Sequence, residues 1–113
     1  MCRICRDSDL KNREDSEHIK GLVHEIISEM KPKKVILFGS RARKDHRKHS
    51  DIDLLIVGNY QESFFDRIGK VLALNTTPYD LEPLVYTVDE FDRMKDRVFF
   101  RGILKNSIEL YPA

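Results

Sequence analysis

A chain of 113 residues holds one compact domain and leaves no room for a second full core. With 41% hydrophobic and 35% charged residues and no apolar run near the roughly 20 residues that cross a bilayer, it reads as a soluble, cytoplasmic protein without a signal peptide. The net charge of +1 gives no overall reason to expect nucleic-acid binding, so what matters is where the charges sit.

Residues 1–14 are dense in charge and carry no periodicity, which predicts a mobile tail ahead of a single domain over 15–113. The only cysteines, Cys2 and Cys5, lie in this tail as C-x-x-C. A closed zinc site needs four ligands, and His18 and His24 are too irregularly placed to supply the other two, so reduced thiols are expected. From Ser16, the residues Ile19, Leu22, Val23, Ile26, Ile27 and Met30 recur at helical spacing, with Asp15 or Ser16 as the cap and Pro32 marking the end. Val35-Ile36-Leu37-Phe38 follows, apolar on both faces, as a buried strand does.

A basic stretch from Gly39 to Ser50 leads to a second buried strand, Ile52 to Val57, and Gly58-Asn59 supplies a turn. Phe64, Phe65, Ile68, Val71 and Leu72 predict a helix over 62–74, broken by Asn75-Thr76-Thr77-Pro78. Leu81 to Tyr86 reads as a third strand. Pro83 has no amide to donate, so that strand belongs at an edge or carries a bulge. Thr87 and Glu90 form a capping-box pattern that opens a helix to about Lys95. A helix over Phe99 to Lys105 and a short strand over Ile108 to Tyr111 complete an α/β (α+β) fold: a small mixed β-sheet flanked by helices.

The chemistry concentrates in 35–58, VILFGSRARKDHRKHSDIDLLIVG. Asp51 and Asp53 are two apart at the entry to a strand, so their side chains leave the same face, with Cα atoms roughly 6.5–7 Å apart. Two like charges beside an aliphatic strand repel each other and lose hydration unless a cation compensates. Oxygen ligands this close suit Mg²⁺ or Mn²⁺ shared with substrate phosphates. Upstream, Gly39 allows close backbone approach to a ligand, Ser40 adds a hydroxyl donor, and Arg41, Ala42 and Arg43 can open a short helix. Donors for a phosphate on one side and carboxylates for a metal on the other suit a nucleoside triphosphate–metal complex better than either half alone.

This segment resembles the minimal nucleotidyltransferases of the DNA polymerase beta superfamily: G-S, then the ten residues Arg41 to Ser50, then D-x-D, with "LFGSRAR", "SDIDLLIV" and "VYT-x-DEF" in the family's wording. The resemblance spans Lys33 to Tyr111 and implies a nucleotidyltransferase (DNA polymerase beta-like) fold. It implies that Asp51 and Asp53 bind metal, that Gly39 and Ser40 hold the triphosphate, and that Arg41 and Arg43 add cationic contacts. It also implies a third metal-binding and catalytic carboxylate on the next strand. Glu82 stands five residues before Thr87 and is the candidate, with Asp80 as the alternative. ATP or another NTP would be the substrate and AMP the group moved. Lys44 stands where the family often has glycine, and His46 and His49 in the same loop read as solvated side chains.

The resemblance further implies an external acceptor. Stand-alone members of this size are often encoded beside a helical protein of the HEPN class, as antitoxin to that toxin; a second copy of the chain is the other source of the missing surface. No G-x-x-x-x-G-K-[ST] or G-x-G-x-x-G occurs, which removes P-loop and Rossmann readings. A catalytically silent nucleotide-binding subunit is one rival. A nucleic-acid-binding module is another, resting on the basic loop and on Phe64, Phe65, Phe99 and Phe100. Those four sit at core-like helical positions, so packing is expected of them instead.

Overall fold

The computed structural model describes residues 13–43 and 51–112; Cys2, Cys5, Lys44, His46 and His49 fall outside them. Helix α1 (Arg13–Met30) starts ahead of the expected Ser16, because a first turn without apolar residues leaves no mark on a periodic pattern. Ser16 is therefore buried within the helix and does not stand at its cap. Lys31, with a φ of 47°, then takes the left-handed conformation that ends many helices, and Pro32 follows.

Four strands form one mixed sheet: β1 (Lys34–Phe38), β2 (Ile52–Gly58), β3 (Leu81–Thr87) and β4 (Ile108–Tyr111), in the order β3-β2-β1-β4. β1 runs antiparallel to both β2 and β4, while β2 and β3 are parallel and joined through α3 (Phe64–Ala73). β3 is thus an edge strand, which accommodates Pro83 without interrupting the register from Ile52↔Leu81 to Gly58↔Thr87. Short helices α2 (Gly39–Arg43), α4 (Val88–Met94) and α5 (Val98–Lys105) fill the remaining connections.

The central strands are apolar apart from Lys34 and Asp53 near their ends because both faces are covered. On one face Ile52, Leu54 and Ile56 pack with Ile19, Leu22, Val23 and Ile26 of α1 and Val71 of α3. On the other, Ile36, Leu55 and Val57 meet Phe91 of α4 and Phe100 of α5. Strand alternation puts Asp51 and Asp53 in phase with Leu55 and Val57, on the α4 and α5 side. Helix α4 opens with the expected capping box, Thr87 Oγ1 accepting from Glu90 N–H and the Glu90 carboxylate accepting from Thr87 N–H.

Two aromatic assignments need correction. Phe64 and Phe100 do pack inward, but Phe65 is 81% exposed and Phe99 68% exposed. Neighbouring positions on a helix point about 100° apart, so each Phe-Phe pair can send only one ring to the core. Arg67 occupies the inward position of α3 instead. It is buried, its Nε donating to Glu62 O (2.9 Å) and its Nη1 to Val85 O (3.3 Å) and Glu90 Oε1 (2.8 Å).

This guanidinium ties α3 to β3 and α4, and removing it strands acceptors inside the fold. Arg67→Met should lower stability by about 2–3 kcal/mol, read as a loss of about 8–12 °C in thermal melting. Glu90 carries the corresponding acid sensitivity. The Thr87 N–H, and then Arg67, hold its carboxyl below the usual value, so this stabilisation is present at neutral pH and fades as pH falls through the lowered value. A flat melting temperature for Arg67→Met would show the network to be incidental.

Candidate active site

β1 and β2 bring the two halves of the sequence motif together. Phe38 at the end of β1 pairs with Asp53 across the antiparallel ladder, so Gly39 arrives beside the Asp53 carboxylate. The chain turns there into α2, and Gly39 adopts φ 75°, a conformation that residues with a Cβ rarely hold. A Cβ built on Gly39 would stand 2.1 Å from Asp53 Oδ2. Glycine is therefore required twice, for the turn and for the room that the carboxylate takes.

The parallel ladder brings Glu82 beside Asp53. Asp53 pairs in register with Glu82 of β3, which sets the two carboxyls side by side on the ladder. Asp80 lies two residues earlier, just before β3, where its carbonyl accepts from Ile52 N–H at 2.8 Å. The Asp53 carboxyl is pushed up to about 6, first by burial, then by the hydrogen bond and charge of Glu82, then by the charge of Asp51; Arg43 opposes the shift. Asp80 is not among the groups acting on it.

Among the described residues no group of three His, Cys, Asp or Glu side chains stands ready as a metal cluster. Asp53 and Glu82 are nonetheless neighbours across the β2–β3 pair, and burial with the nearby acids raises the Asp53 carboxyl. Their chemistry fits a hard divalent cation: oxygen donors, like charges, partial burial and an adjacent backbone for phosphate.

The basic residues divide. Ser40 lies half-buried in α2, and Arg43 is exposed at its end with its charge felt at Asp53. Arg41 has no accessible surface, and its guanidinium sits 4.3 Å from the centroid of the Tyr79 ring. In this placement Arg41 locks α2 onto the segment before β3. Sequence spacing groups Arg41 with the phosphate-binding residues, and nothing local marks Tyr79 as its partner.

Residues 20–113 match the family described as polymerase beta, nucleotidyltransferase. The chain belongs to that family. As a polymerase beta-type nucleotidyltransferase it is also 32% identical over 101 residues to a protein from Methanocaldococcus jannaschii named "putative protein adenylyltransferase", covering 86% of this chain and 98% of that one. Its fold superposes on the 1.40 Å crystal structure of a protein titled "putative nucleotidyltransferase" from Sulfolobus solfataricus. That match has a TM-score of 0.58 and 29% identity, and covers 82% of this chain and 76% of the other. The nucleotidyltransferase fold and class expected from the motif are those of the family.

Proposed function

We propose that this nucleotidyltransferase moves AMP from ATP complexed with Mg²⁺ or Mn²⁺ to a hydroxyl on a protein, a helical HEPN-type partner that it restrains as an antitoxin in the cytoplasm. The observation that carries the transferase chemistry is the placement of Gly39 directly against Asp53, with Glu82 in register on the other side. The M. jannaschii relative's name supports a protein acceptor. Small size and family resemblance support the HEPN partner. No described helix is long and apolar enough to cross a membrane, which is compatible with a cytoplasmic setting.

Asp51, Asp53 and Glu82 are assigned to divalent cations, which when bound neutralise triphosphate charge and favour the deprotonated acceptor. Gly39, Ser40 and Arg43 are assigned to the phosphates. Arg41 is assigned to holding α2 on Tyr79. The acceptor oxygen forms a bond to the α-phosphorus while the bond to the β-phosphate oxygen breaks, and pyrophosphate leaves. The acceptor's proton passes to a carboxylate of the site, a role assigned to Glu82, and then to solvent. Most of the rate comes from positioning and charge stabilisation.

The test is the intact mass of a helical protein encoded beside this chain, after incubation with it, Mg²⁺ and each NTP in turn. One or more added AMP units are expected from ATP, lost in Asp51→Asn while the complex survives. Glu82→Gln should slow transfer more than Asp80→Asn, because Glu82 is the acid in register with Asp53. A tight complex without transfer from any of the four NTPs replaces the enzyme reading with that of a silent nucleotide-binding subunit. The reverse ranking of the two acids moves the third carboxylate to Asp80.

A further inference from the structure

The residues assigned so far account for metal and phosphates and leave the base of the nucleotide without a seat. We propose that the cavity between α2 and α5 holds that base, stacked on Phe99 and hydrogen-bonded by Asn106, with adenine as the preferred occupant. The proposal rests on the nucleotidyltransferase reading of the neighbouring carboxylates.

The cavity has a volume of about 280 Å³ and is bounded by Phe38, Gly39 and Arg43 on one side and Phe99, Gly102 and Asn106 on the other. Pockets for drug-sized ligands measure about 300–1,000 Å³, so this smaller space suits a fragment such as a base. Gly39 belongs to both places: it lines this cavity, and its Cα stands against the Asp53 carboxylate. A nucleotide with its phosphates at Gly39 and Arg43 therefore has the cavity within immediate reach. Among the described residues, two larger cavities, about 440 and 430 Å³, share Asn59, Tyr60 and Gln61. They lie past the far end of β2, about 17 Å along the strand from Asp53, too distant for a base whose phosphates sit there.

Three features of the α5 wall point to a planar, polar-edged ligand. Phe99 is 68% exposed although it contacts the buried Phe100 ring edge-on at 5.6 Å. Such a ring, anchored but uncovered, is a stacking platform, and any base has a face to offer it. Gly102 sits inside an eight-residue helix, where glycine costs roughly 0.5–1 kcal/mol relative to alanine. A Cβ there would meet nothing within 4 Å, so the space beside this lining residue is open to a ligand and a large side chain could enter it without a clash. Asn106, just past the helix, carries an amide that offers a donor and an acceptor together. Adenine sets an amino donor beside a ring-nitrogen acceptor, the complementary pair.

The test is calorimetry with Mg²⁺, titrating ATP, each of the other NTPs and separately inorganic tripolyphosphate into the wild type, Phe99→Ala, Gly102→Leu and Asn106→Leu. All three altered positions line the cavity at exposed sites, and melting curves confirm that the variants fold. Phe99→Ala and Gly102→Leu should weaken ATP by about 5- to 100-fold and leave tripolyphosphate within about twofold. Asn106→Leu should erase the preference for ATP over the other NTPs. Asp53→Asn should weaken both ligands. Equal ATP affinity across wild type and cavity variants overturns the assignment, as does wild-type tripolyphosphate binding as tight as ATP. Loss of partner labelling with ATP binding intact also overturns it and makes Phe99 a protein-docking residue. A wild type that binds neither ligand removes the nucleotidyltransferase reading itself, and this inference with it.

Discussion

Asp53→Asn should abolish nucleotidyl transfer and, in the same protein, raise the melting temperature measured in EDTA. The two effects share one cause. Asp53 is partly buried at the start of β2, faces Glu82 across the parallel ladder and has Asp51 two residues away. Without a cation these three acids oppose one another, and burial adds to the opposition. The amide keeps the shape but removes one charge. In transfer assays the loss should reach about 10²–10³-fold or more, the range seen when one preorganised electrostatic contact is deleted. An Asp53→Asn protein that melts lower in EDTA would mean that Asp53 is held by contacts more favourable than the acid cluster suggests.

A pH series in EDTA separates this from a general packing effect. The Asp53 carboxyl is raised from an ordinary 3.8 to about 6 in the folded chain, so the folded state keeps its proton where the unfolded state loses it. The stabilisation is complete below the unfolded value and disappears as pH rises through about 6. Wild type should therefore lose melting temperature between about pH 4 and pH 6 relative to Asp53→Asn. Saturating Mg²⁺ should remove that difference at pH 7, because a bound cation restores the value of the ionised carboxylate.

Much of this site could be read before the fold was known, for local reasons. Strand alternation alone put Asp51 and Asp53 on one face, and the apolar runs 35–38 and 54–57 marked two strands covered on both sides. Thr87 and Glu90 form their capping box within one turn of helix, so three residues of spacing are enough to recognise it. Arg67 gave no such signal. Its partners Val85 and Glu90 lie 18 and 23 residues away, and only the β2-α3-β3 crossover brings them together. Arg41 on Tyr79 is the same case. The paired phenylalanines failed for another reason: periodicity locates an apolar stripe but cannot choose between adjacent rings, and here the choice sends Phe99 to a cavity wall.

Gly39→Ala should be the most damaging single-methyl change in the chain, and the structure gives two separable reasons. At φ 75° an alanine pays roughly 1–2 kcal/mol that glycine does not. The added Cβ also falls 2.1 Å from Asp53 Oδ2, well inside contact distance. Phe38 and Asp53 are paired in the ladder, so neither backbone can yield without loosening β1 from β2. The carboxylate must swing away instead, and with it goes the geometry proposed to hold the metal. We expect melting to fall by about 4–8 °C and transfer by at least about 10²-fold, the cost of displacing a reacting group by about 1 Å. Gly69→Ala is the matched control, since Gly69 lies exposed in α3 and a Cβ there meets nothing within 4 Å. It should gain about 0.5–1 kcal/mol of stability and transfer at the wild-type rate. Supplying Mn²⁺ in excess should leave Gly39→Ala inactive, because the fault lies in where Asp53 points and not in how much metal is present. Full transfer by Gly39→Ala, at any metal concentration, would detach the glycine from the chemistry and leave it only the turn.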